Sequence, residues 1–426
     1  MRSRRLKLAG EYLLTALALV WRRLMFRTTF IAITGSVGKS TATQCLGAML
    51  ASRHPTNYSR AGGNSRGTLA RIILRTRPWH RFTVTEVGTR APGALRRAAW
   101  TIAPDVVLML RVLKVHSDAF PSIEAMAAEK AQLLSRLGRR GMAILNADDE
   151  RVMAMGESLR GRIHTFGLFT EADVTASDVS SRWPDPLSFR AQFRGQSAVA
   201  QTNLHGEHFV YSALGALATA VHCGVPLEQA VAQLALVEPI PGRMQPVPLP
   251  NGATAICDTY NSTLPGLQVA MNFLAQAQAG RRIAVVYDVH DSGLTSRPRA
   301  RDLARRVAAA ADICVFIGGD AGCAAREAVK AGVARSVQAH AFKTADEAVT
   351  FLRGELRQGD LLLVQGGDRR HLERITIAQL GEVGCRLPSC RRHFQCSACP
   401  DLNFVPFPVP AASALVTVQS GSLNPR

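Results

Sequence analysis

The stretch Thr34-Gly35-Ser36-Val37-Gly38-Lys39-Ser40-Thr41 gives the clearest indication of the fold, because it follows a β-branched run and precedes a helical pattern. Glycines in such a loop let backbone N–H groups approach phosphate oxygens. Lys39 can neutralise charge on the β- and γ-phosphates, and a hydroxyl group of Ser40 or Thr41 can bind Mg²⁺. The first glycine of a full Walker loop lies further upstream than Gly35. The stretch therefore predicts a nucleotide-binding loop of a shortened Gly-x-x-Gly-Lys-Ser-Thr form.

Short strand patterns alternate with helical patterns on both sides of this loop. The first set predicts strands at residues 29–34, 82–87, 106–110 and 143–145, and helices at 41–51, 122–137 and 210–223. A polar, β-rich stretch covers residues 163–201. A second set predicts strands at residues 253–257, 283–287, 313–317 and 361–364. The alternation predicts an α/β fold, with a mostly parallel sheet in a central P-loop domain and a smaller, Rossmann-like α/β domain after it.

Length and composition set the domain organisation and the class of partner. A chain of 426 residues with 47% hydrophobic residues can build two or three cores. We expect an N-terminal helix at 1–28, domains at 29–240 and 241–380, a Cys-rich segment at 381–400 and a flexible tail at 401–426. The formal charge of +19 favours acidic partners. Nucleic acid is not among those we expect, since aromatic residues make up 6% and no base-stacking motif accompanies the charge.

The first thirty residues combine seven basic residues with the single acid Glu11 and an apolar run at 12–21. That run is too short to span a bilayer, and a signal peptide is not expected because an ATP-binding loop follows at once. Four apolar residues share one helical face: Leu13, Leu17, Val20 and Leu24. Two interpretations remain open, a helix in the membrane interface or a helix packed on the first domain. We expect a cytoplasmic protein, with the first interpretation placing it at the inner face of the membrane.

Three side chains after the loop are candidates for metal chemistry. Glu86 ends a predicted strand, where a carboxylate of an open parallel sheet meets its ligand, and it could bind Mg²⁺. His116 follows another strand. Lys130 lies in the apolar stripe of its predicted helix, where an unpaired ammonium group is costly. A lysine that reaches the surface by its flexible end is the alternative.

Further motifs resemble those of the Mur ligase family, and specifically its D-alanyl-D-alanine-adding branch. They occur in the family's order between about residues 29 and 375, and His116 stands where the family places a metal-binding histidine. The motifs are Gly63-Asn64-Ser65 with Gly67, Thr85-Glu86-Val87-Gly88, Leu145-Asn146-Ala147-Asp148-Asp149, Gly206-Glu207-His208, Pro241-Gly242-Arg243 and Asp258-Thr259-Tyr260-Asn261.

The resemblance implies an ATP-dependent amide-bond ligase of the cell-envelope peptide pathway, which joins a carboxylate to an amine through an acyl phosphate. It implies that Arg243 contacts an ATP phosphate and Asp258 the ribose, with Tyr260 and Asn261 in the same motif. It also implies that Ser40, Glu86 and His116 hold Mg²⁺, together with Lys130 as a carbamate. The expected catalytic residues are therefore Lys39, Glu86, His116 and Lys130.

Several positions depart from the family pattern. Two asparagines expected after His208 are absent, the family's Gly-Asp-Met loop is represented by residues 287–293, and its Lys-Gly-Ser by Gln365-Gly366-Gly367. We therefore expect an unusual amine substrate. About thirty residues stand where the family has a UDP-binding domain, so a membrane-associated acceptor is expected. A folylpolyglutamate or poly-γ-glutamate ligase and a membrane-bound ATP-binding scaffold with weak catalysis are the alternatives.

The C-terminal region carries a cluster of potential soft metal ligands. Cys385, Cys390, His393, Cys396 and Cys399 form the pattern C-x4-C-x2-H-x2-C-x2-C. Such ligands can close a tetrahedral Zn²⁺ site or hold an iron–sulfur cluster. Thiols without a metal are the alternative, because the first pair is loosely spaced.

Overall fold

The computed structural model describes residues 2–59, 66–89, 91–113, 119–260, 263–287, 295–367, 370–387, 390 and 395–407, with the backbone alone at 2–9. Its strands form two large, mostly parallel sheets and one small antiparallel sheet. The predicted α/β class is therefore confirmed.

The first large sheet has nine strands and carries the P-loop near its centre. The strands are β1 (Thr29–Thr34), β2 (Thr56–Tyr58), β3 (Phe82–Glu86), β4 (Val106–Met109), β5 (Met142–Asn146), β6 (Arg162–Gly167), β7 (Val174–Ser180), β8 (Ser188–Phe193) and β9 (Gln196–Gln201). Their order is β2-β3-β1-β4-β5-β6-β7-β8-β9. Strands β1 to β7 pair in parallel, whereas β8 and β9 pair antiparallel. The ends of β1, β3 and β4 therefore lie together at one edge of the sheet.

Helices cover both faces of this sheet, as alternating side chains of β1 require. Ile31 and Ile33 pack into the cluster that contains the second and seventh helices, whereas Phe30 and Ala32 pack on the opposite face. The helices are α1 (Arg2–Leu24), α2 (Lys39–Ala51), α3 (Arg66–Arg75), α4 (Ala94–Ile102), α5 (Ile123–Ala131), α6 (Glu150–Gly156), α7 (Val210–His222) and α8 (Leu227–Leu234).

Helix α5 is shorter than the sequence pattern predicts. The α-helix ends at Ala131, and a 3-10 turn, Leu134–Arg136, continues the chain where we expected helix to residue 137. A last turn that tightens in this way is common at helix ends. The prediction that Lys130 faces inward is confirmed, since the residue is 2% exposed.

Helix α1 packs on α3 and α4, so the interpretation of a packed helix is confirmed. Ala18 and Met25 are buried, Trp21 donates through Nε1 to the Thr76 carbonyl (2.9 Å), and the Arg22 side chain bonds to the Ile102 carbonyl (2.7 Å). The apolar stripe of Leu13, Leu17, Val20 and Leu24 lies on the other side and is exposed. Among the described residues, we find no helix with the length and apolar character that crossing a bilayer requires.

The second large sheet has six strands, β10 (Gln245–Pro248), β11 (Thr254–Asp258), β12 (Arg282–Tyr287), β13 (Ile313–Ile317), β14 (Gln338–Phe342) and β15 (Leu361–Gln365). Their order is β10-β11-β15-β12-β13-β14, and only β10 is antiparallel. Its helices are α9 (Leu264–Gln276), α10 (Ser296–Ala310), α11 (Ala321–Ala331), α12 (Ala345–Glu355) and α13 (Glu373–Leu380). The segment after β11 lies against residue 242, since the Thr259 N–H donates to the Gly242 carbonyl (3.0 Å). The next residue, Arg243, donates to Ser40 of the P-loop (3.2 Å).

A small antiparallel sheet follows α13 and consists of β16 (Gly381–Val383) and β17 (Phe404–Pro406). Two 3-10 turns, Cys396–Ala398 and Pro400–Leu402, precede β17. The tail that we expected to be flexible from residue 401 therefore differs from the structure up to residue 407. Its backbone pairs with β16, and the Phe407 N–H donates to the Leu380 carbonyl (2.9 Å).

Candidate functional site

The P-loop connects β1 to the first turn of α2. Gly38 adopts a left-handed conformation (φ 82°) directly before the helix, and a Cβ atom there would lie 2.3 Å from Ser212 Oγ. Only glycine fits this position without displacing its neighbour. The first N–H groups of α2 are therefore presented to the loop, which is the arrangement that binds phosphate.

The Lys39 side chain folds back onto the P-loop. Its Nζ donates to the Gly35 carbonyl (2.8 Å) and to the Ser36 carbonyl (3.3 Å). Burial lowers the pKa of Lys39 to about 8; Glu86 acts in the opposite direction and Arg243 adds to the lowering. The amine remains mostly protonated at neutral pH and can neutralise a phosphate.

Ser40 stands between a carboxylate and a guanidinium group from different parts of the chain. Its Oγ donates to Glu86 Oε2 (2.5 Å) and accepts from Arg243 Nη2 (3.2 Å). Glu86 ends β3, next to the P-loop strand, and is 4% exposed. A hydroxyl and a buried carboxylate oxygen are the ligand types that Mg²⁺ prefers, so this pair fits the ion. Arg243 contributes the opposite charge that a bound polyphosphate needs.

Arg243 is placed by the second domain. Its guanidinium lies over the Tyr260 ring, 4.2 Å from the centroid, and its Nε is buried without a hydrogen-bond acceptor in the part of the chain that the structure describes. An unsatisfied buried donor is costly, so the position suits an anionic ligand. Asp258 ends β11 nearby, where burial raises its pKa to about 7 against the effects of Arg243 and the Met244 backbone.

Lys130 belongs to the same region. Burial lowers its pKa well below the usual value, the positive charge of Lys39 lowers it further, and Glu129 opposes the change. Across the described residues its ammonium group has no hydrogen bond or ion pair. A neutral amine is the form that reacts with CO₂, so the environment fits a carbamate.

The motif at Asp148 and Asp149 supports the loop rather than contacting it. Asp149 Oδ2 accepts from the Val112 N–H (2.8 Å), and Oδ1 caps α6. The segment after β4 in turn holds the P-loop, since Ser36 N donates to the Arg111 carbonyl (2.7 Å). Asp148 accepts from the backbone of residues 168–170. These carboxylates fix loop geometry by charge-assisted hydrogen bonds.

One further side chain near the site was not predicted from the sequence. Glu129 is buried, and its two oxygens accept the N–H groups of Gly93 (2.7 Å) and Leu95 (2.8 Å) at the start of α4. The glutamate beside Lys130 is thus already occupied by the backbone. Gln365 is fully buried at the end of β15, and both of its amide atoms lack partners among the described residues. Glu129 lies outside the predicted apolar stripe, so no sequence feature identified it, whereas the family's Lys-Gly-Ser position had already pointed to Gln365.

The remaining predicted residues lie in different environments, and some of them lie outside the described part of the chain. Val37 is exposed on the loop, Thr41 is buried in α2, and His208 is packed so that burial lowers its pKa to about 4. Several predictions lie outside the described residues: His116, Asn261, His393, residues 63–65 and residues 288–293. The structure thus gathers Lys39, Ser40, Glu86 and Arg243 at one place, with Lys130, Asp258 and Tyr260 around them.

Comparison with known proteins agrees with this geometry. UDP-N-acetylmuramoyl-tripeptide--D-alanyl-D-alanine ligase of Mycobacterium tuberculosis is 28% identical over 381 residues, which cover 84% of this chain and 74% of that protein. The MurF crystal structure II from Acinetobacter baumannii has a TM-score of 0.77 at 26% identity and covers 86% of this chain and 79% of its own. The MurF ligase of Thermotoga maritima in complex with ADP shares the fold, with a TM-score of 0.72 at 18% identity over 87% and 83% of the two chains.

Two family models match consecutive parts of the sequence. The Mur ligase middle domain matches residues 33–220, and the Mur ligase glutamate ligase domain matches residues 242–367. The first match contains the P-loop with Glu86 and Lys130, and the second begins one residue before Arg243. The chain therefore belongs to the Mur ligase family.

Proposed function

We propose that this chain is a MurF-like, ATP-dependent amide-bond ligase of peptidoglycan peptide synthesis, with its catalytic domains at residues 29–240 and 241–380. The observation that carries the proposal is the hydrogen-bonded series Glu86–Ser40–Arg243. It unites a P-loop hydroxyl, a buried carboxylate and a guanidinium group from the second sheet's side of the molecule. Such a constellation positions a polyphosphate and stabilises its transferring end.

In the first step, a carboxylate oxygen of the substrate attacks the γ-phosphorus of ATP. The bond from that phosphorus to the β–γ bridging oxygen breaks, and ADP leaves with the electron pair. Lys39 and Arg243 lie where they offset the charge on the moving phosphoryl group. Mg²⁺, held by Ser40 and Glu86, would neutralise phosphate charge when bound. The product of this step is an acyl phosphate.

In the second step, an amine nitrogen attacks the acyl carbon. The carbon–oxygen bond to phosphate breaks, inorganic phosphate leaves, and the nitrogen loses one proton. Gln365 and Asp258 meet at paired positions of β15 and β11, on the side of the second domain that carries Arg243. The buried, unsatisfied amide of Gln365 would donate to and accept from the amine substrate. A neutral amide there, in place of the family's lysine, favours an amine substrate other than the usual dipeptide.

We infer that Lys130 carries a carbamate when the enzyme is active. Among the described residues, the buried amine has no hydrogen-bond or ion-pair partner. The positive charge of Lys39 disfavours a second ammonium group beside it. A carbamate replaces that ammonium with an anion. Its oxygens would provide a further ligand to Mg²⁺, with His116 as the other expected ligand.

The test is a coupled assay for ADP release. The relatives' names give the first pair to supply, UDP-N-acetylmuramoyl-tripeptide and D-alanyl-D-alanine, followed by other amines and by folate or γ-glutamyl substrates. We expect ADP release only when a carboxylate and an amine are both present. Lys39→Ala should abolish it, and Lys330→Ala, an exposed lysine of α11, should not. ADP release without either substrate, or none with any pair, would favour the scaffold alternative.

We also propose that the exposed side of α1 binds an anionic membrane surface. Tyr12, Leu13, Leu17 and Val20 are at least half exposed, whereas the opposite side of the helix is packed on α3. Exposed Arg23 and the basic start of the chain add the charge that attracts anionic lipids. A helix whose one side packs on the protein can insert its other, exposed side into the membrane interface. This would bring the site to a membrane-associated acceptor.

Sedimentation with vesicles tests this partner. At low salt, the chain should sediment with phosphatidylglycerol vesicles and remain in solution with phosphatidylcholine vesicles. The double substitution Leu17→Glu and Val20→Glu should abolish sedimentation without unfolding the chain, because both side chains are exposed. Val333→Glu, at a more exposed apolar residue of the second domain, is the control. Failure of the unsubstituted chain to sediment would exclude a membrane partner.

A further inference from the structure

A small cavity lies where the Cys-rich segment returns to α13. Its volume is about 30 Å³, and all four described cysteines of the segment line it: Cys385, Cys390, Cys396 and Cys399. None of them is in a disulfide. The first two follow β16, and the last two lie on the 3-10 turn before β17, so the hairpin brings distant thiols to one place. The volume suits a single ion.

The start of α13 is built to hold both thiol segments. Glu373 Oε1 accepts the Cys396 N–H (3.1 Å) and bonds to His371 Nδ1 (3.0 Å). Ligand-type atoms of His371, Glu373 and Cys396 lie within 4.8 Å of one another, whereas no three of the four described cysteine sulfurs are that close, so a bound ion would draw the thiols together. Arg374 donates to the Cys385 carbonyl (3.2 Å), and its Nη1 lies 3.7 Å from Cys385 Sγ. Hydrogen bonds from Glu373 and Arg374 therefore hold the segments that contain Cys396 and Cys385.

Arg374 is a second, independent indication of an anionic centre. It is 7% exposed and lines the cavity, yet it has no ion pair with any described residue, and its Nε has no acceptor there. A buried cation without a counter-charge is costly. Four thiolates around a divalent ion carry a net charge of about −2, which one adjacent guanidinium partly balances. Asp401 also lines the cavity, so the thiolates and this carboxylate together would offset the Arg374 charge.

We propose that this cavity is a structural Zn²⁺ site, with Cys385, Cys390, Cys396 and Cys399 as thiolate ligands, and that it fixes the loop between the two large domains. Binding exchanges four S–H protons for four metal–sulfur bonds, and the protons are released to solvent. The Cys396-x2-Cys399 spacing is that of a zinc-binding turn. No oxidation or reduction is involved. The site is additional to the ligase chemistry and contains none of its residues.

The contact with the domain connection is made by the residue before Cys396. Gln395 Nε2 donates to the Pro241 carbonyl (2.6 Å), and a Cβ on Gly242 would lie 2.5 Å from the same nitrogen. Gly242 is left-handed (φ 74°), and its carbonyl accepts the Tyr260 N–H (3.0 Å). Arg243 follows directly and contacts the P-loop. Fixing the thiol turn therefore fixes the loop that aims Arg243 at the nucleotide.

Metal analysis of the purified full chain tests the site. We expect about one equivalent of zinc per chain by elemental analysis, and its loss from the double variant Cys396→Ser, Cys399→Ser. Cys323→Ser, a lone half-exposed cysteine in α11, is the matched control and should keep the metal. Because the double variant could unfold, the stripped unsubstituted chain is also titrated with Co²⁺, which should give thiolate-to-cobalt absorption that Zn²⁺ abolishes. Absence of both zinc and that absorption, or iron with sulfide instead, would overturn the proposal.

Nucleotide binding tests the connection to the domain loop without depending on ligase turnover. Gln395→Ala should retain zinc yet weaken binding of a fluorescent ATP analogue about fivefold, as expected for one lost hydrogen bond. Chelator-stripped chain should show at least the same loss, and added Zn²⁺ should restore binding. Gln338→Ala, exposed on β14, is the control and should bind normally. Unchanged affinity in both the variant and the stripped chain would refute the role in positioning Arg243.

Discussion

Replacing Lys130 with methionine separates a catalytic amine from a structural one. Lys130 is 2% exposed, and its ammonium has no partner among the residues that the structure describes. Methionine keeps much of the side-chain volume and removes the cost of burying an amine, so the free energy of unfolding at neutral pH should rise rather than fall. If a carbamate at this position holds Mg²⁺, turnover should fall by about 100-fold or more. Stability and activity should therefore change in opposite directions.

The pH dependence of stability reports the state of the same amine. Burial, with a further contribution from Lys39, keeps the pKa of Lys130 well below its usual value. In the unfolded chain a lysine has a pKa of about 10.4. Between these two values the unfolded state binds one proton more, so the free energy of unfolding rises with pH by up to about 1.4 kcal/mol per pH unit. Below the lowered pKa both states are protonated, and the slope vanishes. Lys130→Met should lack this contribution.

Urea unfolding between about pH 7 and pH 9 in CO₂-free buffer measures that slope as the difference between the two proteins. Bicarbonate is then added: it should raise the midpoint of the unsubstituted chain, because carbamate forms only on the folded state, and leave Lys130→Met unchanged. Lys330→Met, at an exposed position of α11, should behave like the unsubstituted chain. Equal slopes with no bicarbonate effect, or full turnover in Lys130→Met, would refute the carbamate.

Three further substitutions probe the loop and its support. Lys39→Ala should reduce ATP turnover at least about 100-fold with an unchanged unfolding midpoint, as measured by ADP release and urea unfolding; near-normal turnover would contradict the P-loop assignment. Asp149→Ala should lower the free energy of unfolding by about 2–4 kcal/mol, because its carboxylate accepts from the Val112 N–H and caps α6. A decrease below about 1 kcal/mol, measured by urea unfolding, would contradict this role. Gly38→Ala should weaken ATP binding, because the backbone there is left-handed and the new Cβ would lie 2.3 Å from Ser212 Oγ. An unchanged ATP affinity in a binding titration would contradict this geometry.

The P-loop and Glu86 were predictable because each depends on local pattern. A strand of β-branched residues, a glycine loop and a helix occur within 23 residues of one another, from Thr29 to Ala51. Glu86 ends its strand, and parallel pairing places that end next to β1. Lys130 was predictable for a different reason, since a charged residue in an apolar helical stripe must be buried. Its proposed chemistry came from the family resemblance.

Contacts between distant segments were beyond sequence reasoning. Arg243 and Ser40 are 203 residues apart, and only the packing of the second domain on the first brings them together. The family pattern implied that Arg243 contacts the nucleotide, but it did not give the partner of Arg243 in the protein. The Gln395–Pro241 hydrogen bond is a similar case, with a separation of 154 residues. No periodicity encodes these pairs, because each depends on how complete domains pack.

Details of helix α5 and its neighbours show a second limit. The apolar stripe predicts helix to residue 137, but the backbone tightens after Ala131. Glu129 had no assigned role, because its acceptors become occupied only when the start of α4 lies opposite. The orientation of α1 was also not predictable, because the helix has two apolar faces and the sequence does not tell which of them packs on α3.

Oxygen labelling tests the proposed acyl-phosphate mechanism directly. The carboxylate substrate is labelled with ¹⁸O, the ligase reaction is run with ATP and an amine, and the released phosphate is analysed by mass spectrometry. An acyl phosphate that is cleaved at its carbon–oxygen bond transfers one labelled oxygen from the carboxylate to phosphate, so we predict one ¹⁸O in each phosphate formed. Product formation with unlabelled phosphate would contradict the acyl-phosphate mechanism and, with it, the role proposed for Lys39, Ser40, Glu86 and Arg243.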